Sequence, residues 1–152
     1  MNASLRRARR LAAVGLLCAL ALPAAALEYR NTVRASILYD APSTAATRVA
    51  IAGDGLPLEV VVVAPGWVKV RDPGGRLAWI EQAALDGARR VMVQADVGLV
   101  RRQPRADAEV VFRAARGVLL ELGSEAGTPG WVPVRHGNGL AGWLPLGEVW
   151  GR

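Results

Sequence analysis

The sequence predicts an all-β chain built from two copies of one unit. Three observations carry that prediction. Residues 66–80 read Gly-Trp-Val-Lys-Val-Arg-Asp-Pro-Gly-Gly-Arg-Leu-Ala-Trp-Ile, and residues 130–144 read Gly-Trp-Val-Pro-Val-Arg-His-Gly-Asn-Gly-Leu-Ala-Gly-Trp-Leu. Trp67 and Trp131, Val70 and Val134, Arg71 and Arg135, Gly75 and Gly139, and Trp79 and Trp143 each stand 64 apart. Each copy places two short alternating runs around a Gly-rich turn, the pattern of a β-hairpin. No segment of the mature chain sustains a 3.6-residue apolar period, which excludes a helical core. Internal repetition takes precedence over local readings, so the duplication sets the architecture.

Residues 1–26 read as an export signal rather than as fold. Arg6, Arg7, Arg9 and Arg10 precede an uncharged apolar run from Leu11 to Leu22, and Pro23-Ala24-Ala25-Ala26 offers small residues for cleavage. The run is short for a membrane span, so no stable membrane insertion is expected after cleavage before Leu27. Cys18 follows Leu17 rather than a small residue, which argues against a lipid anchor. The expected location is the periplasm or the exterior. Taking four arginines and no acid from the formal charge of +6 leaves +2, so the high pI does not point to nucleic acid. Cys18 is the single cysteine and departs with the signal, leaving neither disulfide nor thiol nucleophile.

Removing 26 of 152 residues leaves 126. The repeat divides them into units at 27–86 and 92–152, joined by a linker at 87–91. Units of about 60 residues bury only about 60% of their unfolded surface, so they are expected to support each other. In the first unit, residues 32–39 alternate as a strand and Pro42 breaks it. Residues 48–52 form a second strand. Gly53-Asp54-Gly55 turns the chain into residues 58–63, whose valines predict a largely buried strand. Ala64-Pro65-Gly66 leads into the hairpin of 67–71 and 76–80, and residues 81–84 suit a single 3₁₀ turn.

The second unit repeats the order at 91–100, 109–114 and 118–122, and then its own hairpin. Pro42 matches Pro104 and Glu59 matches Glu121 at an offset of 62, so two extra residues lie within 123–129. Surface loops accept such insertions at little cost.

Five short strands, the Gly-Trp-Val-x-Val hairpin and a one-turn helix before a final strand resemble bacterial Src-homology-3 (SH3) domains. The openings Leu38-Tyr39-Asp40-Ala41-Pro42-Ser43 and Val100-Arg101-Arg102-Gln103-Pro104-Arg105 fit the same family pattern. The resemblance covers nearly all of the mature chain. It implies two tandem SH3-like small β-barrels of about five short strands each. It also implies a role in binding cell-wall (peptidoglycan) peptides or another envelope ligand, or a structural role holding a periplasmic protein partner. Ile37-Leu38-Tyr39-Asp40 also resembles the opening of eukaryotic SH3 domains. The following loop carries no acid and no paired tryptophans, so recognition of proline helices is not expected.

No enzyme, cofactor or metal is expected. His136 is the single histidine and reads as an exposed turn residue without a nucleophile or ligand set near it. The thirteen acids form no motif of general acid–base spacing. Alternation in Trp67-Val68-Lys69-Val70-Arg71 puts the valines inside and Trp67, Lys69 and Arg71 outside. The same split places Trp131, Pro133 and Arg135 outside in the second unit. Of Trp79 and Ile80, and of Trp143 and Leu144, one each is buried. Trp150 caps a barrel or the seam between units. Arg101, Arg102 and Arg105 form a cationic loop, solvated or turned toward anionic envelope groups. By resemblance, each barrel presents a shallow groove beside its Gly-Trp hairpin. Tyr39 and Trp67 then lie near one groove, aromatic and mildly acidic, and Arg101 and Trp131 near the other, which is cationic.

Overall fold

The computed structural model describes residues 27–87 and 89–152. The export segment read over residues 1–26 lies outside the described residues. Among the described residues, two separate antiparallel sheets of seven strands each form, with no strand shared between them.

The first sheet comprises β1 (Tyr29–Thr32), β2 (Ser36–Tyr39), β3 (Arg48–Ala52), β4 (Pro57–Ala64), β5 (Trp67–Arg71), β6 (Leu77–Glu81) and β7 (Leu85–Asp86), in the order β3-β2-β6-β5-β4-β1-β7. The second comprises β8 (Arg90–Val93), β9 (Val97–Arg101), β10 (Val110–Ala115), β11 (Leu119–Leu122), β12 (Trp131–Arg135), β13 (Ala141–Pro145) and β14 (Val149–Trp150), in the matching order β10-β9-β13-β12-β11-β8-β14. Each sheet has one 3₁₀ turn before its last strand, Gln82–Ala84 and Leu146–Glu148. The fold is thus two SH3-like units in tandem.

The hairpins form as the alternation requires. In β5 and β6, Val68, Val70, Ala78 and Ile80 are buried while Trp67, Lys69, Arg71 and Trp79 lie partly open. Ile80 and Leu144 fill the cores, and Trp79 and Trp143 sit outside them. Gly75 and Gly139 take φ of 86° and 91° at the hairpin turns, a left-handed conformation that a side chain would strain. Each unit closes on its own core: Leu38, Leu58, Val68, Val70 and Ile80 in one, Val100, Leu120, Val132, Val134 and Leu144 in the other.

Five expectations need correction. The run 32–39 is two strands: Thr32 ends β1, paired with Leu85 of β7, and residues 33–35 bend the chain into β2. The Thr32 hydroxyl donates to the Gly53 carbonyl at 2.5 Å and accepts from the Leu56 N–H at 2.9 Å. The run 91–100 likewise divides, with Gln94 N–H donating to the Glu148 carbonyl at 2.8 Å. These divisions and the brief closing strands raise the count from about five per unit to seven. The valines of β4 are not largely buried. A register shift between Val60 and Val62 carries the strand's end off the core, so Val61, Val62 and Val63 are exposed. Pro133 is buried rather than outside, because Gly123, at the start of the inserted loop, donates its N–H to the Pro133 carbonyl at 2.8 Å.

The two units meet at a polar and aromatic seam. Asn31, 4% exposed, donates to the carbonyls of Gly55 at 3.0 Å and Arg90 at 3.3 Å, and accepts from the Arg90 N–H at 3.0 Å. Trp150 donates its indole N–H to the Pro57 carbonyl at 2.9 Å and meets the Tyr29 ring edge-on at 5.4 Å between centroids. Trp150 therefore holds the seam.

Candidate functional site

The first unit gathers its outward aromatics on one surface. Antiparallel pairing sets Lys69 opposite Trp79 and Trp79 opposite Tyr39, and cross-strand partners share a face. Trp67 lies two residues from Lys69 on the same face, and its ring meets Tyr39 edge-on at 5.5 Å and 86°. That geometry suits the aromatic quadrupole and fixes the indole. Tyr39 itself is 7% exposed, so it braces Trp67 more than it meets solvent. The Lys69 ammonium sits 6.0 Å from the Trp79 ring centroid, a cation–π contact at the rim.

Trp67 borders an open groove of about 620 Å³ shared with Gly66, Glu81, Gln82 and Ala83. Glu81 stands directly opposite Trp67 in the hairpin ladder, so the groove sets a carboxylate beside an indole. A smaller cavity of about 170 Å³ adjoins it, lined by Arg34, Ser36, Ile37, Tyr39, Ile80 and Glu81 among others. Glu81 belongs to both. Sequence reasoning passed over Glu81, although counting outward from the turn at 72–76 pairs it with Trp67.

The corresponding groove of the second unit encloses about 420 Å³ and has a different chemistry. Gly66 recurs as Gly130, but Glu81 becomes Pro145 and Gln82 becomes Leu146. Arg152 lies in this groove and donates to the Trp131 carbonyl at 3.0 Å. The Arg101 guanidinium instead donates to the Ala108 carbonyl at 2.7 Å, within its own loop. Arg101 occupies the place of Tyr39, and among the described residues no ring braces Trp131 as Tyr39 braces Trp67.

The remaining loop arginines are also engaged. Arg102 pairs with Glu109 at 2.8 Å and Arg105 with Asp107 at 2.6 Å. The hydrogen bond to Arg102 and its charge hold Glu109 below the usual carboxylate range. His136 is not the exposed turn residue its sequence context suggests. It is half-buried, with its ring 5.8 Å from Phe112. Among the described residues, no group of three or more His, Cys, Asp or Glu is placed to hold a metal. No described helix is long and apolar enough to cross a membrane.

One further charge lies beneath the hairpin. Glu59, 7% exposed, accepts two hydrogen bonds from Arg71 at 3.0 and 3.1 Å. Burial pushes the Tyr29 phenol above its ordinary value, and the nearby Glu59 charge adds to the rise while Arg71 opposes it.

The family model described as Bacterial SH3 domain matches residues 33–87 and again 94–151. Among solved structures, the chain is similar to NlpC2 from Trichomonas vaginalis at 8% identity and a TM-score of 0.39. That alignment covers 84% of this chain and 49% of that one. An NlpC/P60 family protein from Bacillus cereus aligns at 17% identity and a TM-score of 0.36, over 81% of this chain and 56% of that one. This chain spans about half the length of the structures it matches. A comparison with curated proteins finds no match. The two family matches fall one on each sheet, around the same hairpin and the same 3₁₀ turn, and the chain belongs to the bacterial SH3 domain family.

Proposed function

We propose that the chain is an exported, non-catalytic binding module for cell-wall peptide, with the groove of the first unit as its main contact. The observation that carries this reading is Trp67, fixed edge-on by Tyr39 and set beside Glu81 over an open groove. A rigid aromatic gives contact area at low entropic cost, and an adjacent carboxylate suits the amino groups of a peptide. The family is one of binding domains, which supports a binding role over a catalytic one.

The test is sedimentation of the purified protein with cell-wall sacculi, alongside melting curves. Trp67→Ala removes an aromatic anchor, worth about 2 kcal/mol where it is a hot spot, or roughly a 30-fold loss of binding. Unchanged binding by a folded Trp67→Ala protein refutes the reading. A second reading, a structural module holding a periplasmic protein, draws on the exposed Val61, Val62 and Val63 of β4. Retention of proteins from a lysate without retention by sacculi would favour it.

A further inference from the structure

We propose that the second unit carries a separate site for the carboxylate end of an extended peptide, on the open edge of β10. A cavity of about 210 Å³ lies there, lined by Phe112, Arg113, Val118, His136, Asn138 and Leu140 together with the backbone of β10. Two kinds of chemistry meet in it. Phe112, Val118 and Leu140 supply an apolar floor, and Leu140 is 43% exposed. The polar side chains of the lining supply donors and no carboxylate.

The donors follow from the turn between β12 and β13. The Asn138 N–H donates to His136 Nδ1 at 3.3 Å, which assigns the proton of the neutral ring to Nε2. Asn138 Oδ1 accepts from the Leu140 N–H at 3.1 Å, so its Nδ2 hydrogens remain for another partner. Arg113, on the outward face of β10 by the strand's alternation, carries a positive charge at the same edge.

The strand edge adds a backbone donor. Arg116 N–H donates to the Asp96 carbonyl at 3.1 Å, and β10 pairs with β9 as Ala115 with Val97 and Arg113 with Leu99. Antiparallel ladders alternate bonded and non-bonded pairs. Arg113 and Ala115 therefore turn their N–H and C=O groups away from β9, toward the open edge of the sheet. The Ala115 carbonyl is taken by Val118 N–H at 3.1 Å, and the groups of Arg113 face the cavity side. An added strand would pair there, its last side chain on Phe112 and Leu140 and its carboxylate among the donors. Main-chain pairing supplies affinity and the pocket supplies selectivity in such strand addition.

The first unit has no equivalent. Phe112 corresponds to Ala50, His136 to Asp72, Asn138 to Gly74 and Leu140 to Arg76. Asp72 is acidic where a carboxylate would have to bind, and its Oδ1 already accepts from the Arg76 N–H at 2.8 Å. The site is thus a property of the second copy and independent of the Trp67 groove.

The experiment measures binding of a dye-labelled peptide, N-acetyl-Ser-Thr-Ser-Val with a free carboxylate, to the purified protein by fluorescence anisotropy. Its carboxamide twin serves as the comparison. The free acid is expected to bind at least 10-fold more tightly than the amide. Leu140→Asp, an exposed change that leaves the cores intact, is expected to abolish the difference, and Trp67→Ala to leave it unchanged. Equal binding of acid and amide, absence of binding by both, or acid binding unaffected by Leu140→Asp overturns the proposal.

Discussion

Replacing Trp150 with alanine should uncouple the two units. The change removes the indole hydrogen bond to the Pro57 carbonyl, worth about 1 kcal/mol, and the edge-on contact with Tyr29, worth about another. Trp150 is half-buried, so the full ~3–5 kcal/mol of a core Trp→Ala change does not apply. The working figure is about 2 kcal/mol. At about 2 cal/mol/K per residue over residues 27–152, this lowers the melting temperature by roughly 7 °C. Denaturant unfolding followed by fluorescence and by circular dichroism supplies the assay. The parent should give one transition by both probes and Trp150→Ala two, because units this small rely on the seam. A second lever acts on the same contact. The raised pKa of Tyr29 means that folding favours its neutral form. This contribution is complete below the ordinary value of 10.0 and is lost as pH rises through the folded pKa. The parent should therefore lose stability in strong alkali more steeply than Tyr29→Phe. A single transition at an unchanged midpoint in Trp150→Ala refutes the coupling.

Two further changes test buried polar groups. Asn31→Ala strands the Gly55 carbonyl and the Arg90 N–H at the seam and should cost about 2–3 kcal/mol, read as a lowered denaturant midpoint. Arg71→Met leaves the Glu59 carboxylate buried without its partner. Because Arg71 is 43% exposed, the cost should be about 1–2 kcal/mol rather than that of a fully buried pair. The matching Arg135→Met acts on an exposed residue and should change stability by less than about 0.5 kcal/mol.

The hairpins were legible because a period of two and a Gly turn act over neighbouring residues. Trp67 and Val68 were sorted correctly by that rule alone. The division of residues 32–39 was not legible, since nothing in Thr32-Val33-Arg34-Ala35-Ser36 breaks a strand locally. β1 pairs with β4 and β7 and β2 with β3 and β6, and the Thr32 hydroxyl that ends β1 bonds Gly53 and Leu56, all partners that lie beyond the run itself. A run of valines reads as core, yet the shift at Val61 that turns β4 outward leaves no mark in composition. Of the candidate site, Tyr39 and Trp67 were anticipated as neighbours and are in ring contact. Arg101 was expected to make the second groove cationic, but its guanidinium reaches a carbonyl of its own loop. The charge in that groove is that of Arg152. His136 failed for the same reason as Thr32, because its neighbour Phe112 comes from a distant strand.

The differences between the copies are not scattered at random over the fold. Core positions keep their character: Leu38 and Val100, Leu58 and Leu120, Val70 and Val134, Ile80 and Leu144 are all at most 2% exposed. The seam lies where the copies diverge, with Tyr29 replaced by Arg90, Asn31 by Met92 and Asp86 by Trp150. Exchanging the copies would set Arg90 and Asp86 where Tyr29 and Trp150 meet. Arg90 and Asp86 line the same cavity of about 200 Å³ at the seam. The seam bonds are one-sided under that exchange: the Asn31 amide bonds the Arg90 backbone, while its counterpart Met92 has no amide to return that bond to Tyr29. The seam therefore joins unlike faces of the two copies, and the grooves diverge in the same way, one setting Glu81 beside Trp67 and the other Arg152 beside Trp131.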